Sequence, residues 1–164
     1  MLVRAQYERL VYTLPDHYPS IHFSTLVLAP PGLDTARLTG LVAFGDDLVL
    51  CVYELLNFQE GVIEEYRYEI SRCYPPFTQS PLPEAVDYCR AGYSGKEKLY
   101  WHDSWPHPND LTLASTLPHH KHIPPDIKHT RIPAPGLSFT QPNLPFLIEE
   151  IERELLTAQS DDYQ

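Results

Sequence analysis

What this chain of 164 residues lacks narrows its reading first. It has no apolar run near the roughly 20 residues a membrane span needs, and no charged leader followed by an apolar segment. Both absences predict a soluble, cytoplasmic protein with no membrane partner. Cations are scarce: 12 Lys and Arg stand against 22 Asp and Glu, a net charge of −10. That balance argues against strong non-specific nucleic-acid binding, because phosphate contacts need clustered positive charge. Cysteine is scarce too. Cys51, Cys73 and Cys89 are odd in number and show no CxxC spacing, which predicts no disulfide framework. Cys51 lies in an apolar run and reads as a small buried hydrophobe, while a Cys73–Cys89 pairing stays open. There is no GxSxG nucleophile turn, no HExxH helix and no Gly-rich phosphate loop.

What is present suffices for a core, since 43% of the residues are apolar. Residues 2–14 place Val3, Tyr7, Leu10, Val11 and Leu14 on one helical face, and Pro15 is expected to stop that helix. Residues 21–29 read as a strand closed by Pro30, Pro31 and Gly32. Gly45-Asp46-Asp47 forms a hairpin turn between β-rich arms, and Leu48–Leu56 is apolar enough for a central strand. After a second turn at Glu60-Gly61, "VIEEYRYEISR" alternates. Val62, Tyr66, Tyr68 and Ile70 are expected to be more buried than Ile63, Glu65, Arg67 and Glu69. Residues 73–96 form a Pro-, Gly- and Ser-rich excursion with one helical turn near Glu84–Tyr88, and 97–102 return as a strand.

From Pro106 to Pro145 lie nine of the 17 prolines, which excludes a long helix or a central strand there. The chain closes with "LPFLIEEIERELL" after an N-cap at Asn143. Leu144, Leu147, Ile148, Ile151 and Leu155 share one face, and the glutamates are expected to form a solvated one. The resulting expectation is an α+β fold. It has an antiparallel meander of about five strands, N- and C-terminal helices packed on it, and an ordered Pro/His-rich arm over 103–143. One domain spans 1–158, followed by a frayed acidic tail at 159–164.

The arm carries the chemistry. Six of the eight histidines (His102, His107, His119, His120, His122, His129) fall within 28 residues. The segment 117–131 is locally basic, with Lys121, Lys128 and Arg131 against Asp126. Imidazole can ligate a metal, move protons near neutral pH, or hydrogen-bond an irregular backbone. Without cysteine ligands, zinc spacing is absent and no metal or other cofactor is predicted. Metal-free RNA cleavage needs a base for the 2′-hydroxyl, an acid for the leaving oxygen and a cation for the phosphorane. The arm offers all three, and a backbone-bonding role for the same side chains stays open. In an extended segment, alternation puts His120 and His122 on one side and His119 on the other. Trp101 just before the arm and Trp105 at its start either stack on bases or cover the sheet.

The order of "WHDSWPHPNDL", "PHHKHI" and "LPFLIEEIERELL" resembles the TumE-type toxin family of bacterial toxin–antitoxin pairs, whose pattern is close to "DNAPHHPEL … FPHHKH". Asp103, Pro106, His107 and Leu111 match its first motif, and Pro118, His119, His120, Lys121 and His122 match its second. Pro108 stands where the family often has a second histidine, Trp105 replaces a small residue, and residues 73–96 are longer than the usual turn. The resemblance implies a growth-inhibiting toxin acting on RNA and neutralised by a small antitoxin protein. His107, His120, His122 and Lys121 are then the catalytic candidates. Trp101, Trp105, His119, Lys128 and Arg131 are the candidates for holding substrate. The competing readings are a metal-binding protein and a non-enzymatic interaction module. The oligomeric state is left open, a homodimer included.

Overall fold

The computed structural model describes residues 1–30 and 32–157; Pro31 and the expected acidic tail lie outside the described residues. The architecture is α+β. Helices α1 (Arg4–Tyr12), α2 (Leu14–His17), α3 (Ala85–Tyr88) and α4 (Leu144–Ile151) accompany eight strands. The strands are β1 (Ile21–Ser24), β2 (Val27–Ala29), β3 (Thr35–Phe44), β4 (Leu48–Asn57), β5 (Val62–Cys73), β6 (Lys96–Asp103), β7 (His120–His122) and β8 (Arg131–Pro133). All pairings are antiparallel, in the order β1-β3-β4-β5-β6-β7-β8, with β2 also on β3. Among the described residues no helix is long and apolar enough to cross a membrane.

The regular centre, β3 to β6, follows the expected meander, and β4 is buried along most of its length. The strand count differs from five for two reasons. The expected strand 21–29 breaks at Thr25-Leu26, and both pieces pair with β3. The break sits on Gly40, where a Cβ would come within 2.6 Å of the Thr25 carbonyl oxygen and where φ is +135°. The arm then adds β7 and β8. Prolines flank these three-residue strands instead of interrupting them, and Pro133 falls on the edge strand, where a missing N–H breaks no ladder. This corrects the exclusion of a central strand from the Pro-rich segment: β7 is short but paired on both edges. Pro15 likewise does not end helical structure; it stands in the first turn of α2, where its absent N–H costs nothing.

One face of the sheet carries the main core. Leu48, Leu50, Val52 and Leu56 of β4 and Ile63, Tyr66, Tyr68 and Ile70 of β5 pack there with Tyr7 and Val11 of α1 and Leu144, Leu147, Ile148 and Ile151 of α4. The expected alternation along β5 holds from Tyr66 to Ile70 but inverts before it. The register slips between Leu55 and Leu56, so Ile63 instead of Val62 joins Tyr66 on the core face. An extra residue in one strand reverses the facing of everything beyond it. Glu69 is also buried, because Lys96 and Lys98 of β6 meet its carboxylate. Within the core, Glu54 accepts hydrogen bonds from the Tyr7 and Tyr68 hydroxyls, and burial pushes its carboxyl up to about 7.

The other face is partly covered by the 74–95 excursion, whose Tyr88 packs with Leu41, Val49, Cys51 and Cys73. Here Cys51 is bonded to Cys89, and Cys73 is free and buried. This corrects the expectation of no disulfide and of an unpaired Cys51. The pleat of β4 turns Cys51 outward, and α3 folds back to deliver Cys89 over it, a meeting that sequence spacing does not encode. Closing a loop across a separation of 38 residues is worth about 3–4 kcal/mol against the unfolded chain. Disulfides are rare in reducing compartments, which sets this bond against the cytoplasmic expectation.

Candidate functional site

The register at β6–β7 distributes the arm's side chains between the two faces. Trp101 pairs with His122, His102 with Lys121 and Asp103 with His120. Tyr100 and His102 project with Tyr68 and Ile70 towards α4, and Lys121 follows them; Trp101, Asp103, His120 and His122 project the opposite way. The predicted separation of His120 and His122 from His119 is thus present, and Lys121 leaves with the other set.

On the face away from α1 and α4, four side chains converge. Ligand-capable atoms of Asp103, His107, His120 and His122 all lie within 4.8 Å of one another. His120 Nε2 is 3.0 Å from His122 Nε2 and 3.0 Å from Asp103 Oδ1, and His122 Nε2 is 3.3 Å from Asp103 Oδ2. The opposite ring nitrogens are held by backbone. His120 Nδ1 donates to the Pro118 carbonyl at 2.7 Å, and His122 Nδ1 donates to that of Ile127 at 2.9 Å. A carbonyl can only accept, so each Nδ1 carries a hydrogen and each Nε2 of a neutral ring presents its lone pair to the centre. Asp103 is steadied in turn by Trp105 N–H on Oδ1 and Trp101 Nε1–H on Oδ2. Trp101 stacks on His122 with ring centroids 4.3 Å apart.

The electrostatics follow from this crowding. Burial works to raise the Asp103 carboxyl, but the hydrogen bonds of His120 and His122 outweigh it and hold the group far below the ordinary carboxylate range. Burial works to lower His120, yet Asp103 and the Pro118 carbonyl carry it above the usual imidazole value. His107 goes the other way, lowered by desolvation and by the nearby Arg131 and His120. Three imidazoles and a carboxylate in this arrangement are a donor set for a transition metal, and equally a store of mobile protons. His107 and Arg131 also line an open cavity of about 620 Å³ with Pro106, Asn109, Asp110 and Leu111.

Of the sequence-predicted site residues, His107, His120, His122, Trp101 and Arg131 are brought to this locus. Lys121 is not: its Nζ donates to Glu150 at 3.0 Å and Glu154 at 2.9 Å on the opposite face. The expected solvated glutamate face of α4 is accordingly corrected at Glu150, which is buried between Lys121 and His102. His119 bonds the Tyr66 hydroxyl at 2.7 Å and is also separate from the cluster. Lys128 is exposed on the loop after β7. Trp105 is 71% exposed beside a second cavity bounded by Tyr66, Arg67 and Asp103. The residue that sequence reasoning left out is Asp103. It lay inside the quoted motif, but a lone aspartate gives no sign of reaching histidines 17 and 19 positions later.

A family model described as Toxin TumE matches residues 21–155. No curated protein and no solved structure matches the chain. The matched span covers both the meander and the histidine arm, so the chain belongs to the Toxin TumE family.

Proposed function

We propose that this member of a toxin family is the growth-inhibiting half of a toxin–antitoxin pair and that it cleaves RNA at the Asp103–His107–His120–His122 cluster. The observation that carries this reading is the convergence of three imidazoles and a carboxylate within 4.8 Å beside an open cavity. An RNA 2′-hydroxyl entering that cavity loses its proton to one imidazole as the 2′-oxygen attacks phosphorus. A second imidazole gives a proton to the departing 5′-oxygen, leaving a 2′,3′-cyclic phosphate. His107, half-buried at the cavity wall, meets substrate first, while His120 and His122 exchange protons across their 3.0 Å contact with Asp103 as counter-charge.

The cation opposite the phosphorane is Arg131 instead of Lys121. Arg131 shares the cavity with His107, and its buried Nε has no hydrogen-bond partner among the described residues. Trp105, exposed next to Asp103, supplies a stacking surface for a splayed base. The partner is a small antitoxin protein, and the compartment is the cytoplasm, where its RNA is and where Cys51 and Cys89 would stand reduced as neighbouring thiols. The test is cleavage of cellular RNA by the purified chain together with growth arrest on its expression. Both are expected to disappear in His107→Ala and in the His120→Ala/His122→Ala double variant. Undiminished cleavage in the double variant would refute the assignment.

A further inference from the structure

We propose that Asp103, His107, His120 and His122 form a binding site for a zinc-type divalent cation, and that the bound cation suppresses proton transfer at the same atoms. The first part stands on geometry alone; the second rests on the RNA-cleavage reading.

With Nδ1 of both rings committed to backbone carbonyls, neutral His120 and His122 aim two Nε2 lone pairs at each other across 3.0 Å. The Asp103 oxygens, also acceptors, face the same point at 3.0 and 3.3 Å. Protonating one ring relieves one of these contacts and leaves the other Nε2 opposed to the carboxylate. Protonating both lets each N–H reach one Asp103 oxygen but leaves two positive rings with their Nε2 atoms 3.0 Å apart. A single cation at the point where all the lone pairs meet resolves every contact at once.

The spacing fits such an ion. Zinc–nitrogen and zinc–oxygen bonds of about 2.0–2.1 Å in a tetrahedron place neighbouring ligand atoms about 3.3 Å apart. The observed edges among His120, His122 and Asp103 are 3.0, 3.0 and 3.3 Å. The surroundings fit as well: histidines that ligate through Nε2 ordinarily donate Nδ1–H to a carbonyl or carboxylate, which fixes tautomer and ring direction. Both rings do so here. Asp103 has its own outer support in Trp101 Nε1–H and Trp105 N–H. Imidazole-rich sets favour zinc, copper and nickel over magnesium or calcium, which prefer oxygen. His107 is the fourth ligand and the one facing the cavity, so the position it occupies is where a substrate oxygen could replace it. A cation on His120 and His122 takes both Nε2 lone pairs and leaves neither ring able to accept or return a proton there.

The experiment uses the full chain free of any affinity histidines, stripped with chelator and then dialysed with zinc alone. One zinc per chain is expected, with affinity falling at least about 100-fold in Asp103→Asn and in His120→Ala/His122→Ala, no less than the loss from removing an outer-shell partner. His129→Ala, an exposed histidine paired with Asp126, should bind as the native chain does. Cobalt in place of zinc gives a reading on the unaltered protein: intense visible absorption marks a tetrahedral site, and the pale spectrum of hydrated cobalt marks none. Substoichiometric zinc, a pale cobalt spectrum, or unchanged binding in the Asp103 variant overturns the site. Cleavage by the zinc-loaded protein at the metal-free rate overturns the suppression. Cleavage that requires zinc overturns both the suppression and the proton route while leaving the metal site standing. Stoichiometric zinc without cleavage in either state supports the site and counts against the RNA reading alone.

Discussion

The two faces of the sheet at β6–β7 are built from alternate residues of the same strands, yet they reach opposite electrostatic outcomes. Facing α4, His102 and Lys121 meet Glu150, and Lys121 also meets Glu154 while its ammonium stands 3.8 Å over the Tyr100 ring. There Lys121 has two carboxylates and His102 Nε2 one, while His102 Nδ1 and the Tyr100 hydroxyl are buried without a hydrogen-bond partner among the described residues. Facing away, Asp103, His120 and His122 bring lone pairs to one point with too few hydrogens to go round. Charge pairing that is complete fastens one element to another. Pairing that is incomplete, at the wall of a cavity, leaves something for a proton, a metal or a substrate to do. The contrast separates neighbours in sequence: Lys121 goes to one face, and His120 and His122 go to the other.

The sharpest way to break the comparison is to truncate each side. His120→Ala/His122→Ala should lower RNA cleavage on the order of 10²–10⁴-fold, the usual worth of a positioned acid or base, and should cost less stability than the change on the opposite face. Cleavage by purified protein and chemical denaturation of the same samples check both halves. Lys121→Met should do the reverse. It leaves the buried Glu150 with His102 alone, and removing one partner of a buried pair costs about 3 kcal/mol or more. Cleavage per folded molecule should persist, because Lys121 points away from the cavity. A Lys121 variant that is stable but inactive would put the lysine back among the catalytic groups.

Acid sharpens the same contrast. Burial works to raise Glu150, but His102 and Lys121 prevail and bring it from its ordinary 4.5 down to about 2. A carboxyl held lower in the folded state contributes stability that is fully present above 4.5 and is lost as pH falls from there through about 2. Equilibrium unfolding followed across that window should show the loss, and Glu150→Gln should flatten it. The smallest effect on folding is expected at Trp105. With 71% of its surface exposed, Trp105→Ala should change stability by no more than about 0.5 kcal/mol. If it stacks on a base, RNA binding should weaken by about 1–3 kcal/mol. Titration of single-stranded RNA with the zinc-free protein measures that term.

Much of this was legible from local pattern. The hairpin at Gly45-Asp46-Asp47, the central strand from Leu48, the turn at Glu60-Gly61 and the apolar stripe of the last helix follow from periodicity and turn chemistry, which act between near neighbours. So does the partition of His120 and His122 from His119, because alternation is a property of any extended backbone. The break at Thr25-Leu26 was not legible, since it answers to Gly40 on the facing strand. Nor was the slip before Tyr66, set by a pairing with Leu55 and Leu56.

By itself, the sequence determined the α+β class, the meander, the run of histidines and the side of the strand each one takes. Only the tertiary structure decided that Asp103 completes the cluster, that Arg131 and not Lys121 stands at the cavity, that Glu150 is a buried counter-charge and that Cys51 finds Cys89. The physical reason is common to all four. Each is a meeting across strands or between a strand and a distant segment, governed by register and by which partner a buried charge can reach. Neither quantity is written in the spacing of residues along the chain.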